Sequence, residues 1–177
     1  MSEQPVEQAA AQPVVDAKHA PDKPGTPTIY EWMGGGEALN RLTEVFYGHV
    51  REDSVLAPVF AGMDEKHPQH VAKWLGEVFG GPKDYTADRG GHPHMATQHL
   101  GRGITEEQRR RWVTLLQDTA DEVGLPTDPE FRAVFLYYIE WGTRMAVMYS
   151  GKNPPPVEAA DVPVWKWGQT PPWQPNG

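Results

Sequence analysis

Cysteine is absent from the 177 residues of this chain. Disulfide bonds, thiolate nucleophiles and cysteine-ligated zinc or iron–sulfur clusters are therefore excluded, as is any cofactor attached covalently through cysteine. Any metal or cofactor chemistry has to depend on histidine, carboxylate or aromatic side chains.

Positive charge is also scarce, because 16 Lys and Arg stand against 24 Asp and Glu, for a formal net charge of −8. With no basic block, nucleic acid and anionic membranes are not expected as main partners. No apolar run is long enough to span a bilayer. The N-terminus lacks the basic and apolar segments of a secretory signal, so we predict a cytoplasmic location.

Glycine and proline are abundant, with 18 of each, and they are concentrated in tails and loops. Residues 1–27 are rich in Ala, Pro and Gln, which predicts a disordered N-terminal extension. Residues 28–150 form the predicted folded domain, and 151–177 form a Pro/Trp-rich C-terminal extension. This last segment carries Trp165, Trp167 and Trp173. Because exposed tryptophans are costly, we expect Trp165 or Trp167 to pack on the domain or on a second subunit.

The folded part has the apolar spacing of helices and no convincing strand pair, which predicts an all-α fold with about four substantial helices. Thr105 to Gln108 forms a capping box, and Asp128 is placed to cap the last helix. Pro68 fits a helix first turn, and Gly80-Gly81-Pro82 a helix end. Asp53 is placed to cap a short helix through Val59. Lys83 to Pro93 is predicted to be irregular.

Seven histidines are the candidate metal ligands. His67 and His70 have a chelating spacing, but no third ligand completes the site; His92 and His94, which flank Pro93 in a predicted loop, are equally weak. His99 follows a short segment and precedes Gly101. A histidine presented in this way above an apolar cavity suits axial ligation of haem iron, although a surface or core role is the alternative.

Hydrogen-bond donors on the opposite wall would complete such a pocket. Tyr47 follows Phe46 on the first long helix, and Trp112 lies on the helix after His99. The indole N–H of tryptophan only donates, so a buried Trp112 needs an acceptor. Simple core packing with an internal backbone partner is the alternative for both side chains.

The residues from Thr28 to Ser150 resemble the group II truncated haemoglobins. The resemblance depends on an ordered set of motifs rather than on any single one. These are Ile29–Gly35, Arg41–Tyr47, Val55–Phe60, Phe79–Pro82, Tyr85, Arg89, Gly91–Pro93, His99 and Trp112. The sequence departs from the family pattern at Phe60, where many members have tyrosine, and at His67, where small residues are common. One extra residue occurs around Gly90.

The resemblance implies a two-over-two helical sandwich around non-covalent haem b. It implies roles for nine residues. His99 would be the proximal iron ligand; Tyr47, Trp112, Phe60, His67 and Val71 would face the distal ligand; Trp74, Tyr85 and Met95 would contact the haem.

The function implied is binding of dioxygen or another small diatomic gas, with Tyr47 and Trp112 as donors to the ligand. A peroxidase or nitric oxide dioxygenase activity is the alternative, and it would need an external reductase. For His67, a bond to the ligand, an outward gating swing and direct iron coordination all stay open. A haem-free helical interaction module is a further alternative. The C-terminal extension would mediate homodimerisation, cover the pocket mouth or pack on the domain.

Overall fold

A computed structural model describes residues 24–168, and within this range the chain is helical without a β-strand. The predicted all-α class is confirmed. The structure contains seven helices between these residues, in the following order: α1 Ile29–Trp32, α2 Gly35–Glu52, α3 His67–Val78, α4 Asp84–Arg89, α5 His92–His99, α6 Glu106–Glu122 and α7 Pro129–Ser150.

Four of these helices are long, and they pack as two pairs. Helix α2 packs against α3 on one side and α6 on another, and α6 packs in turn against α7. The face of α2 that is buried carries Leu39, Leu42, Phe46 and Val50, which recur at helical spacing. The short helix α5 rests on α7. This arrangement confirms the predicted two-over-two sandwich.

The predicted helix caps are present. The Thr105 hydroxyl accepts from the Gln108 amide at 3.2 Å, while the Gln108 side chain accepts from the Thr105 amide at 3.0 Å. The Asp128 carboxylate accepts from the amide of Phe131 at 2.9 Å. Each cap satisfies backbone groups that a helix start leaves without intrahelical partners, so local sequence alone determines where α6 and α7 begin.

Two local predictions are wrong. Lys83 to Pro93, expected to be irregular, contains α4 and the start of α5, so His92 and His94 lie on a helix and not in a loop. Helix α4 is too short to show a periodic apolar face, and the buried carboxylate of Glu77 stabilises it by accepting from the Thr86 amide and hydroxyl.

The second wrong prediction is a helix after Asp53. Its carboxylate accepts from the amides of Val55 and Leu56, as a cap would, but the residues that follow form successive turns. Pro58 and Gly62 lie in this stretch and disfavour a continuous helix.

The described part of the C-terminal extension runs across the domain without helical structure. The Trp165 amide donates to the carbonyl of Val78 at 2.7 Å, and the Trp167 indole donates to the carbonyl of Pro27 at 2.7 Å. Val162 and Trp167 are buried, and Trp165 packs partly buried on the core. The expectation that Trp165 or Trp167 packs on the domain is therefore confirmed.

Two predictions lie outside the described residues, in whole or in large part. The disordered N-terminal extension falls mostly on residues 1–23, and Trp173 falls within 169–177. Between residues 24 and 168, none of the helices has the length and apolar character required to cross a membrane.

Candidate functional site

His99 is the last residue of α5, and its imidazole is oriented by its own helix. Nδ1 lies 2.9 Å from the carbonyl oxygen of Met95, which can only accept, so Nδ1 carries the proton. Burial lowers the pKa of His99, which keeps the imidazole neutral near pH 7. Nε2 is consequently left with a free lone pair, the state in which histidine binds a metal.

A second group of polar side chains joins three helices. Tyr47 of α2 is buried, and its hydroxyl oxygen lies 3.1 Å from Nε2 of His67 on α3. Burial raises the pKa of Tyr47, and the nearby Trp112 side chain on α6 partly opposes this rise. The Tyr47 hydroxyl can donate its proton to Nε2 of His67.

Aromatic rings enclose this chain of hydrogen bonds. The ring of Phe46 lies edge to face between Tyr47 and Trp112, with centroids 4.9 Å from each. The ring of Phe60 lies 5.6 Å from Tyr47 and 6.0 Å from His67. The polar atoms are therefore held in largely apolar surroundings, where hydrogen bonds to a small ligand are stronger than in water.

His67 is neutral at physiological pH. Desolvation by burial is the main cause that lowers its pKa to about 4, and nearby His70, Arg102 and His99 contribute to the same shift. Uncharged His67 can thus accept the proton of Tyr47.

The predicted haem-contact residues lie on α3, α4 and α5. Trp74 is buried and its indole donates to the hydroxyl of Tyr138 on α7 at 2.6 Å. The ring of Tyr85 meets Trp74 edge to face at 5.1 Å and approaches His94 at 6.3 Å. Val71 and Met95, also predicted, are partly buried against the same core.

Unpaired polar atoms are found among the side chains near Tyr85, on α4 and α5. In the described part of the chain, Nε of Arg89 and Nε2 of His94 are buried without a hydrogen-bond partner. Burial raises the pKa of Tyr85 even though the Arg89 guanidinium is its neighbour. Unpaired buried donors are costly, so this region suits a ligand that carries an acceptor or a negative charge.

Taken together, the donor set fits haem. One neutral imidazole has a free nitrogen, flat aromatic side chains lie between α3 and α4, and the partly buried Arg89 has a buried Nε without a partner. Between residues 24 and 168, no group of three or more His, Cys, Asp or Glu side chains is arranged to hold a metal ion. His67 and His70 accordingly do not belong to such a group.

Two residues important to this region were not assigned to it from the sequence. Tyr138 lies on α7, and its partner Trp74 is 64 positions away in the sequence. Glu77 lies buried on α3 and anchors α4 through Thr86. A charged residue within an apolar helix face was the available signal for Glu77, whereas the pairing of Tyr138 with Trp74 depends on the tertiary fold.

Comparison with known proteins gives a consistent result. The model of the bacterial-like globin family matches residues 28–135. The group 2 truncated hemoglobin YjbI of Bacillus subtilis is 33% identical over 91 residues, which cover 51% of this chain and 68% of the relative. The group 1 truncated hemoglobin GlbN of a Nostoc species is 36% identical over 80 residues, covering 45% of this chain and 64% of the relative.

A solved structure has the same fold. The truncated oxygen-avid haemoglobin from Bacillus subtilis superposes with a TM-score of 0.61 at 30% identity, over 68% of this chain and 99% of that one. The superposition covers almost the whole of that protein, so the additional length of this chain lies outside the shared fold.

Proposed function

The chain belongs to the bacterial-like globin family, as a group II truncated haemoglobin, and from this membership we propose that it binds haem b non-covalently through His99 and takes up dioxygen or another diatomic gas beside Tyr47. The observation that carries the proposal is the state of His99. Its Nδ1 is occupied by the Met95 carbonyl, so Nε2 is free as a donor.

His99 would hold bound haem through its iron, and the haem would supply the capacity to bind a diatomic gas. Trp74, Tyr85 and Met95 would supply the apolar contacts of the macrocycle. The unpaired Nε of Arg89 would find its acceptor in a haem carboxylate. All of these are non-covalent contacts, in keeping with the absence of cysteine from the sequence.

The hydrogen bonds around Tyr47 limit how strongly a ligand is held. Tyr47 can donate to His67, so its proton already has a partner when the pocket holds no gas. A ligand gains a hydrogen bond from Tyr47 only by replacing this bond. Because one hydrogen bond replaces another, the net gain is smaller than the roughly 1–3 kcal/mol that an unpaired buried donor costs.

An absorbance experiment tests the assignment of His99. We expect haem-reconstituted protein to show a Soret band, His99→Gly to lose the His-ligated spectrum, and added imidazole to restore it. His49→Ala is the control, since His49 is an exposed partner of Glu122. Haem retention and a visible spectrum that are unchanged in His99→Gly would contradict the proposal.

The neutral His67 favours a second candidate function, the reduction of peroxide. An imidazole with a pKa of about 4 is unprotonated at pH 7, and it can accept a proton from peroxide that displaces the Tyr47 hydroxyl from its Nε2. Oxidation of nitric oxide would use the same residues. Either reaction requires electrons from an external donor such as a reductase.

The rate at which the ferric protein reacts with peroxide tests this second function. General acid–base catalysis typically contributes 10²-fold or more, so we expect His67→Leu to slow the reaction by roughly that factor. Gas binding should survive in the same variant, because His99 is unchanged. An unaltered peroxide rate in His67→Leu would remove the second function and leave the first in place.

A further inference from the structure

Five aromatic side chains form a continuous cluster from the interior to the surface, which we call the aromatic relay: Trp74, Tyr138, Trp165, Trp141 and Tyr137. The Trp74 indole donates to the Tyr138 hydroxyl at 2.6 Å. The ring of Trp165 then lies 5.2 Å from Tyr138, 5.2 Å from Trp141 and 5.3 Å from Tyr137. Every step is a direct ring contact or a hydrogen bond.

The relay has a buried end and an exposed end. Trp74 and Tyr138 are 7% and 4% exposed, whereas Trp141 is 38% and Tyr137 is 64% exposed. The buried end lies among the predicted haem-contact residues, since Trp74 meets Tyr85 at 5.1 Å. The aromatic relay therefore connects the candidate haem region with solvent.

Core packing alone does not require this choice of residues. The adjoining core cluster is built from Phe79, Phe135 and Phe131, with ring centroids 5.6–5.7 Å apart. The relay contains only tryptophan and tyrosine, which lose one electron far more readily than phenylalanine does. The two clusters meet at Tyr138, whose ring lies 5.4 Å from Phe79. Of these two adjoining clusters, only the one that reaches the surface is built from readily oxidised residues.

The C-terminal extension supplies the middle of the relay. Trp165 is positioned by the hydrogen bond from its amide to the Val78 carbonyl at the end of α3. Its ring contacts both Tyr138 on the buried side and the exposed pair, Trp141 and Tyr137. The family match ends at residue 135, so Trp165 lies beyond the region that the family model covers.

We propose that the aromatic relay carries single electrons from a small phenolic or hydroquinone reductant at Tyr137 and Trp141 to the haem region, so that the surface of α7 is an oxidation site for aromatic donors. The proposal rests on the second proposed function, the reduction of peroxide. It identifies the class of electron donor which that reaction would need.

The overall reaction balances with peroxide as the oxidant. Two phenol molecules each lose one electron and one proton and become phenoxyl radicals. Hydrogen peroxide accepts the two electrons and two protons, its O–O bond breaks, and two water molecules form. Electrons move inward along the rings, while the protons of the phenols are released to solvent at the surface.

Tyr138 serves as a bridge within this path. Burial raises its pKa and so opposes loss of its proton, and this effect outweighs the hydrogen bond that its hydroxyl accepts from the Trp74 N–H. A tryptophan can lose an electron while keeping its proton. Trp74 and Trp165 are therefore the residues on which an electron vacancy resides, with the Tyr138 ring between them.

Radical mapping tests the relay without relying on turnover. Haem-loaded ferric protein is mixed with one equivalent of hydrogen peroxide and a nitroso spin trap, without a reductant, and adducts are located by peptide mass spectrometry. We expect adducts on Tyr137 or Trp141 in the wild type and their loss in Trp165→Phe. Tyr137→Phe, at an exposed position where folding should not suffer, should lose the Tyr137 adduct and slow oxidation of a phenol.

Trp167→Phe is the matched control. Trp167 lies two residues further along the same extension and packs on Trp32 with ring centroids 6.2 Å apart. The Trp167→Phe variant should show the same adducts and the same rate of phenol oxidation as the wild type. In all three variants the rate of the first reaction with peroxide should equal that of the wild type.

The outcomes distinguish a failure of the aromatic relay from a failure of the two proposed functions, gas binding and peroxide reduction. Protein that fails to bind haem overturns the relay together with both proposed functions. Protein that binds haem and a gas but does not react with peroxide overturns the relay and the second function alone. Protein that reacts with peroxide but gives the same adducts in Trp165→Phe as in the wild type overturns only the relay.

Discussion

At the scale of single residues, one phenol proton has two possible acceptors. The Tyr47 hydroxyl lies 3.1 Å from Nε2 of His67 in the structure and can donate to it. Any gas in the pocket competes with His67 for the proton of Tyr47. Trp112 is the second proposed donor to the gas, so substitutions of Trp112 and of His67 should change ligand residence time in opposite directions.

Trp112→Phe should release dioxygen faster. It removes one donor while preserving the ring that packs on Phe46, so the loss should be about 0.5–1.5 kcal/mol, or roughly 2- to 10-fold in off-rate. Stopped-flow measurement of oxygen release gives this number. An unchanged off-rate would show that Trp112 is not a donor to the ligand.

The matched variant, His67→Leu, should have the opposite effect. It removes the competing acceptor, leaves the Tyr47 proton free for the ligand, and should lower the off-rate by a similar factor. Faster release from His67→Leu would instead indicate that His67 itself bonds the ligand, one of the roles that the sequence leaves open.

His67 should also affect how stability depends on pH. Its pKa is about 4 in the folded chain against about 6.5 for an unperturbed histidine, so between these values the unfolded chain binds more protons. The contribution of neutral His67 to the free energy of unfolding is therefore fully present above pH 6.5, and it is lost as the pH falls towards 4. At about 1.4 kcal/mol per pKa unit, the loss is at most roughly 3.5 kcal/mol.

Urea unfolding at pH 7 and pH 5 measures this effect. His67→Gln can still bond Tyr47 but does not titrate, so it should lose less stability over that interval than the wild type does. Equal losses in the two proteins would mean that His67 is not a buried neutral imidazole.

At the scale of helices, the sequence predicted where α6 and α7 begin, but it did not predict the short helix α4. Thr105 and Asp128 mark the starts of α6 and α7, because their capping bonds join residues only three positions apart. Helix α4 gave no such signal, since it depends on a carboxylate from α3, nine positions before Thr86. The wrong prediction for Lys83 to Pro93 thus reflects stabilisation by tertiary contacts rather than by local ones.

Glu77→Ala should accordingly destabilise α4 more than the rest of the domain. It leaves the Thr86 amide and hydroxyl without their buried acceptor, at a cost of about 1.5–3 kcal/mol for a charged acceptor. Hydrogen exchange should quicken over Asp84–Arg89 while α6 stays protected. Glu107→Ala, an exposed substitution on α6, is the control and should change hydrogen exchange in neither α4 nor α6.

The candidate site shows the same division between local and tertiary information. His99, Tyr47 and Trp112 were predicted because spaced motifs resemble a known family, and the structure brings Tyr47, Trp112, His67 and Phe60 together. The pairing of Trp74 with Tyr138 and the unpaired Nε of Arg89 were not predictable, because they depend on how helices meet. A periodic pattern identifies a buried face but not the residue it meets.

At the scale of the whole molecule, the C-terminal extension joins parts of the domain that are distant in sequence. Trp167 donates to Pro27 just before α1, Trp165 pairs with Val78 at the end of α3, and a Cβ placed on Gly91 would lie 3.8 Å from Val162. Gly91 immediately precedes α5, the helix that carries His99. The extension thus contacts the segment that holds the candidate proximal ligand.

Truncation after Ser150 should therefore destabilise the domain and loosen haem binding. Loss of buried valine and tryptophan side chains typically costs several kcal/mol, so we expect a drop of roughly 5 kcal/mol or more in unfolding free energy. Truncation after Gly168 keeps every contact described for the extension and is the control. Denaturant unfolding and the rate of haem transfer to an apoglobin acceptor measure the two effects.

The same pair of truncations tests the homodimer that the tryptophan-rich extension suggests. Val162 and Trp167 are already buried within one chain, so little of their surface is left to join a second subunit. We expect light scattering to give the same number of subunits for the full chain and for the truncation after Gly168. A full-length dimer that becomes monomeric on truncation after Ser150, without loss of unfolding free energy, would assign the extension to self-association instead. Because packing within the chain and self-association place opposite demands on the same side chains, stability and mass measured on one set of samples decide between them.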